Sequence, residues 1–131
     1  MTTTAADAAT VRAALAAFAT RDLDRLLEYL TDDIAWRTPG QSLLAGDFHG
    51  KAAVRAYLER ALALSTGTIR VEPVDVLLGR EHVAVVVELH GERGERTLDE
   101  RSIQLFQMRD GRIAMRRVYP ADQAAFDAFW A

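Results

Sequence analysis

A chain of 131 residues, half of them hydrophobic and 27% charged, has the size and composition of one folded domain that covers roughly two-thirds of the surface its unfolded form exposes; no apolar run approaches the ~20 residues a membrane helix needs. Cysteine is absent, which excludes disulfides, thiolate metal sites and cysteine nucleophiles together. A formal charge of −3, with arginines scattered singly or in pairs, offers no basic stripe for phosphates, so the expected partners are a small molecule and a second copy of the chain rather than nucleic acid or a membrane.

The first residues, Met1 to Asp7, have neither the basic start nor the apolar core of a signal peptide, and a cytoplasmic location is the expectation. From Ala5 to Phe18 the apolar residues Val11, Ala14, Leu15 and Phe18 recur at helical spacing behind threonines suited to cap it. A second short helix fits 22–30, where Asp22 can cap and Leu23, Leu26, Leu27 and Leu30 form a stripe. Thr31-Asp32-Asp33 interrupts that pattern. Ile34, Trp36 and Thr38 then alternate as a short strand, ended by Pro39-Gly40 because proline cannot extend a ladder. A loop is expected to Gly50, followed by a third helix over 51–64 with Val54, Tyr57, Leu58, Ala61 and Leu62 on one face.

Four strands are predicted next, over 68–79, 82–91, 95–109 and 112–119, the last two joined by the hairpin signal Asp110-Gly111. A final helix over 122–130 presents Phe126, Phe129 and Trp130. Helices first, then a strand, a helix and an antiparallel run, describe an α+β fold in a single domain spanning 1–131. A strand of fifteen residues would reach about 50 Å if straight, too long for so small a domain. The sheet must bend strongly, and a bent sheet encloses a pocket.

Several segments then combine. Arg21-Asp22-Leu23-Asp24 follows the first helix, Trp36-x-x-Pro39-Gly40 closes the first strand, and Gly46-x-x-x-Gly50 precedes the third helix. With Asp110-Gly111-Arg112-Ile113 and the tail from Asp122-Gln123 to Phe129-Trp130, they resemble the nuclear transport factor 2-like superfamily, in its SnoaL-like and ketosteroid-isomerase-like branch. The resemblance implies a cone-shaped half barrel, strongly bent and mostly antiparallel, closed by the N-terminal helices around an internal pocket and often dimeric. Fold does not fix the reaction. In ketosteroid isomerases a carboxylate base precedes the first strand's proline, and here that place is held by Thr38; the oxyanion-hole tyrosine and aspartic acid fall at Ala14 and Gln104. Authentic ketosteroid isomerase activity is therefore not expected.

The second long strand has two faces. Ala84, Val86, Glu88 and His90 lie on one, and Val83, Val85, Val87 and Leu89 on the other. Alignment with the isomerases turns the mixed face inward and leaves the apolar face for a dimer contact. On that reading Glu88 and His90 are the acid/base candidates, since a carboxylate two residues from an imidazole on one face can orient it, and Gln104 is a neutral donor to an oxyanion. Phe18, Trp36, Thr38, Tyr57, Val86, Phe106 and Arg116 are expected around the ligand, with His49 in a loop over the mouth. The three histidines lack ligand spacing and no glycine-rich phosphate loop follows a strand, so neither metal nor nucleotide cofactor is expected. Two functions stay open: a cofactor-independent isomerase, cyclase, dehydratase or hydrolase working by proton transfer on a hydrophobic molecule, or a non-catalytic ligand-binding or accessory protein.

Overall fold

Ten elements follow one another in a computed structural model that describes residues 2–131: α1 (Ala5–Ala19), α2 (Leu23–Glu28), β1 (Leu30–Thr38), β2 (Gly46–His49), α3 (Lys51–Leu64), β3 (Arg70–Leu78), β4 (His82–Arg93), β5 (Arg96–Arg109), β6 (Arg112–Pro120) and α4 (Gln123–Trp130). Local chemistry sets the helix starts. The Thr4 hydroxyl accepts from the Asp7 N–H at 3.2 Å while the Asp7 carboxylate accepts from the Thr4 N–H at 2.9 Å, a reciprocal cap that satisfies two otherwise free donors of α1. Asp22 and Asp122 cap α2 and α4 one way only, accepting from the N–H of Arg25 and of Ala125. Past α1, Arg21 takes a left-handed backbone (φ 63°) and its guanidinium donates to the carbonyls of Phe18, Gly67 and Ile69. That side chain ties the end of α1 to the entrance of β3, which gives the Arg21-Asp22 segment a structural role.

The strands form one six-stranded curled sheet, in the order β2-β1-β6-β5-β4-β3, open rather than closed into a barrel. Every neighbouring pair is antiparallel except β1 with β6. Helices cover the inner face, α1 against β3, β4 and β6, α3 against β1 and β2, and α4 against β5 and β6. Close approach of α4 depends on Gly91: a Cβ there would stand 3.1 Å from the Phe129 ring and 3.3 Å from Ile69.

Two element boundaries differ from the sequence expectation. β1 begins at Leu30, not Ile34, because a bulge between Leu30 and Ala35 lets Asp32 and Asp33 both face solvent without ending the strand. Gly46–His49 is an edge strand rather than a loop; with only Phe48 partly buried, four residues carry too little alternation to show as one.

The larger correction concerns β4. Val83, Val85 and Val87 have no exposed surface and Leu89 is buried, so the all-valine face is the inner one. Val86, Glu88 and His90 therefore lie on the outer face. The physical reason is register: Val85 stands opposite Gln104 and Val83 opposite Phe106, and residues directly opposite in an antiparallel pair share a face. With Gln104 and Phe106 inside, the odd-numbered residues of β4 must be inside too.

Candidate ligand-binding site

Between the inner face of the sheet and α1, α3 and α4 lies a cavity of about 80 Å³, several times the roughly 10–15 Å³ that one water needs. Its walls are mostly aliphatic and aromatic, including Phe18, Leu58, Leu89, Phe126 and Trp130. The sheet contributes a row of three side chains in register, Trp36 on β1 opposite Arg116 on β6, and Arg116 opposite Phe106 on β5. Gln104 and Val118 form the next row. Among the described residues the only groups on the cavity wall with hydrogen-bonding side chains are Arg116, Gln104, Tyr57 and the two tryptophans, Trp36 and Trp130.

Arg116 is the unusual member. Its residue surface is 6% exposed, and no carboxylate among the described residues forms an ion pair with it. Nη1 donates to the Arg37 carbonyl and to Thr38 Oγ1, each at 3.1 Å. Nε is buried and donates to nothing. The guanidinium carbon lies 4.8 Å from the Trp36 ring centre and 5.7 Å from that of Tyr57, so aromatic faces supply part of the attraction a counter-ion would give. Burial depresses the Arg116 pKa from its ordinary value, opposed by the Tyr57 hydroxyl nearby. Thr38 also shares a 2.7 Å hydrogen bond with the Tyr57 hydroxyl. It does not line the cavity but stands behind it, holding Tyr57 and Arg116 in place. A second orphan donor completes the set, since Trp36 Nε1 is buried without a partner.

Comparison with known proteins agrees with this architecture. Residues 11–115 match the family described as the SnoaL-like domain. The chain belongs to the SnoaL-like domain family. This family generally binds small molecules and lies within the nuclear transport factor 2-like superfamily. The SnoaL-like chain is 37% identical over 127 residues to the uncharacterized protein Rv0034 of Mycobacterium tuberculosis, covering 96% of this chain and 97% of that one. Among solved structures it is similar to Bal32a from a soil-derived mobile gene cassette, with a TM-score of 0.93 at 32% identity over 96% of this chain and 97% of Bal32a. TerC, co-crystallized with polyporic acid, shares the fold at 22% identity and a TM-score of 0.82, covering 95% of this chain and 98% of TerC.

Of the site residues expected from sequence, Phe18, Trp36, Tyr57, Gln104, Phe106 and Arg116 line the cavity of this SnoaL-like domain. His49 does not reach it: it is exposed on edge strand β2, opposite Ala35. Val86, Glu88 and His90 are on the far side of the sheet, as the register requires. There His90 Nδ1 lies 2.9 Å from Asp99 and its Nε2 3.5 Å from Glu88. Glu72, Glu88 and His90 bring their ligand atoms within 4.8 Å of one another. Their carboxylates are already balanced inside the chain, Glu88 by Arg101 at 3.3 Å and Glu72 by Arg70 at 3.6 Å. The cluster reads as a surface ion-pair network.

Leu44, Ile69, Leu89 and Leu98 are wall residues the sequence reading passed over. Leu89 had a usable signal, because an unbroken run of valine and leucine on one face of a strand marks the side that packs on the core. Leu44 sits in an irregular segment where periodicity is silent.

Proposed function

We propose that this SnoaL-like domain binds a small, largely apolar organic molecule in the cavity under its inner sheet face. One observation supports the reading above all. The cavity is walled by hydrophobic side chains, and its few polar groups are hydrogen-bond donors or the amide of Gln104. That is the make-up of a ligand pocket. Among the described residues no aspartate, glutamate, histidine or lysine lines it, so the lining lacks the usual groups that take up a proton near neutral pH. The binding reading therefore stands ahead of a proton-transfer enzyme that relies on Glu88 and His90. A catalytic role fitted to this lining would act by polarising a carbonyl through Arg116 or Gln104, with the substrate supplying its own labile proton. TerC, of the same fold, was co-crystallized with polyporic acid, which is consistent with occupancy of such a pocket.

We also propose that the outer sheet face seats a second copy of the chain.

Both tryptophans of the sequence, Trp36 and Trp130, line the cavity, so their fluorescence reports on its contents. Titration with benzyl alcohol, acetophenone and benzoate is expected to give a saturable emission change with at least one of them. Ala61→Leu, which fills the cavity from α3, is expected to weaken that binding about tenfold or more while the circular dichroism stays native. No saturable response to any of the three, or unchanged affinity in the folded, filled variant, would refute the pocket.

A further inference from the structure

We infer that the ligand of this pocket is a small ring-bearing organic monoanion, a carboxylate being the best fit, held by Arg116 with help from Trp36 Nε1. The inference deepens the binding reading above and rests on it. A guanidinium stays charged under ordinary conditions, and burying one without an anion leaves a charge uncompensated. Arg116 is buried and lines the cavity, and its hydrogen bonds run from Nη1 alone, to a carbonyl and a hydroxyl. Neither acceptor carries a charge. The Nη1 contacts fix the plane of the guanidinium and leave Nε, on the edge it shares with Nη2, without an acceptor. That edge is the one that receives a carboxylate side-on through two parallel N–H···O bonds.

Independent support comes from the second orphan. Trp36 Nε1 is also buried and unpartnered, and an indole N–H donates only. Two unsatisfied donors on adjacent, in-register residues ask for an acceptor-rich group, and a carboxylate offers about four lone-pair sites. Charge count sets the valence. Arg116 is the only cationic residue on the cavity wall among the described residues, so a phosphate dianion would bury excess negative charge whereas a monoanion is matched. The remaining wall is apolar and rich in aromatic rings, which selects a hydrophobic body, and about 80 Å³, against the ~150 Å³ of a cavity that takes up benzene, limits that body to a single ring for which the walls must give.

Isothermal titration calorimetry with benzoate and its neutral isostere benzamide separates the two claims. The wild-type protein is expected to bind benzoate on the order of tenfold or more tightly than benzamide, the worth of a charge-assisted hydrogen bond. In Arg116→Gln that ratio should fall to about one, and Trp36→Phe, which keeps a ring and deletes the donor, should weaken benzoate several-fold more than benzamide. Where Arg116→Gln does not fold, the wild-type ratio and Trp36→Phe decide the matter. Binding of both compounds with equal affinity overturns the anion assignment and leaves the apolar pocket standing. Binding of neither overturns the pocket reading and this inference together.

Discussion

Glu100 shows how a single side chain carries a cost of the fold. It sits on the inner-facing side of β5, where it accepts a 3.1 Å hydrogen bond from Ser102 while Oε2 is buried with no partner. Burial pushes the Glu100 carboxyl above its ordinary pKa, Ser102 opposes the shift, and the Asp122 charge adds to it. The sign follows from linkage. A carboxyl whose native pKa is raised favours folding below its unfolded value, and that contribution is lost as pH rises through the native value. Glu100→Gln keeps an acceptor for Ser102 and removes the charge. It should raise the melting temperature by about 1–3 °C near pH 7 and by nothing measurable near pH 3.5, where the wild-type group is protonated in both states. Differential scanning calorimetry at the two pH values checks this, and equal shifts at both would show that the charge is not the cause.

At the scale of elements, the sheet explains which expectations held. The long antiparallel strands and their hairpin were legible because period-two alternation and Asp110-Gly111 are strong local signals. The bent sheet closed by helices was legible from strand length and from the motifs shared with the superfamily. The face of β4 was not, since pairing parity between β4 and β5 is a non-local property that neither strand displays alone. One misplaced register moved Val86, Glu88 and His90 across the sheet together. A similar local event at β6, a bulge beside Ala114, brings Ile113 as well as Arg116 and Val118 to the inner side. Arg116 was legible as a candidate but not its isolation, because the lack of a counter-ion depends on every neighbouring strand. The correct parity also re-draws the proposed dimer contact. The outer face carries Leu77, Ile103 and Tyr119, at 51%, 44% and 47% exposure, with Val86 beside Ile103, and the proposed second copy would seat on these side chains. Multi-angle light scattering at micromolar concentration should give a dimer mass for the wild type and a monomer mass for Ile103→Glu. A wild-type monomer would contradict the contact.

For the whole molecule, architecture and site are linked by what the core leaves out. Helices α1, α3 and α4 pack on the sheet without filling the space beneath it, and what remains is a cavity lined by aliphatic and aromatic side chains and one guanidinium without a counter-ion. Voids and unpaired buried charge both work against folding, so a molecule that fills the first and neutralises the second stabilises the native state by mass action. A ligand held in the cavity is felt first by the side chains that line it. In a proton–nitrogen correlation spectrum of the labelled protein, Trp36 Nε1–H and Arg116 Nε–H each give a signal of their own. Titration with benzoate should shift both, together with the Gln104 side-chain amide, while the backbone amides of Glu88 and His90 stay in place. Shifts concentrated at Glu88, His90 and Asp99, with the Trp36 and Arg116 side-chain signals unmoved, would contradict the assignment of the inner cavity as the functional site.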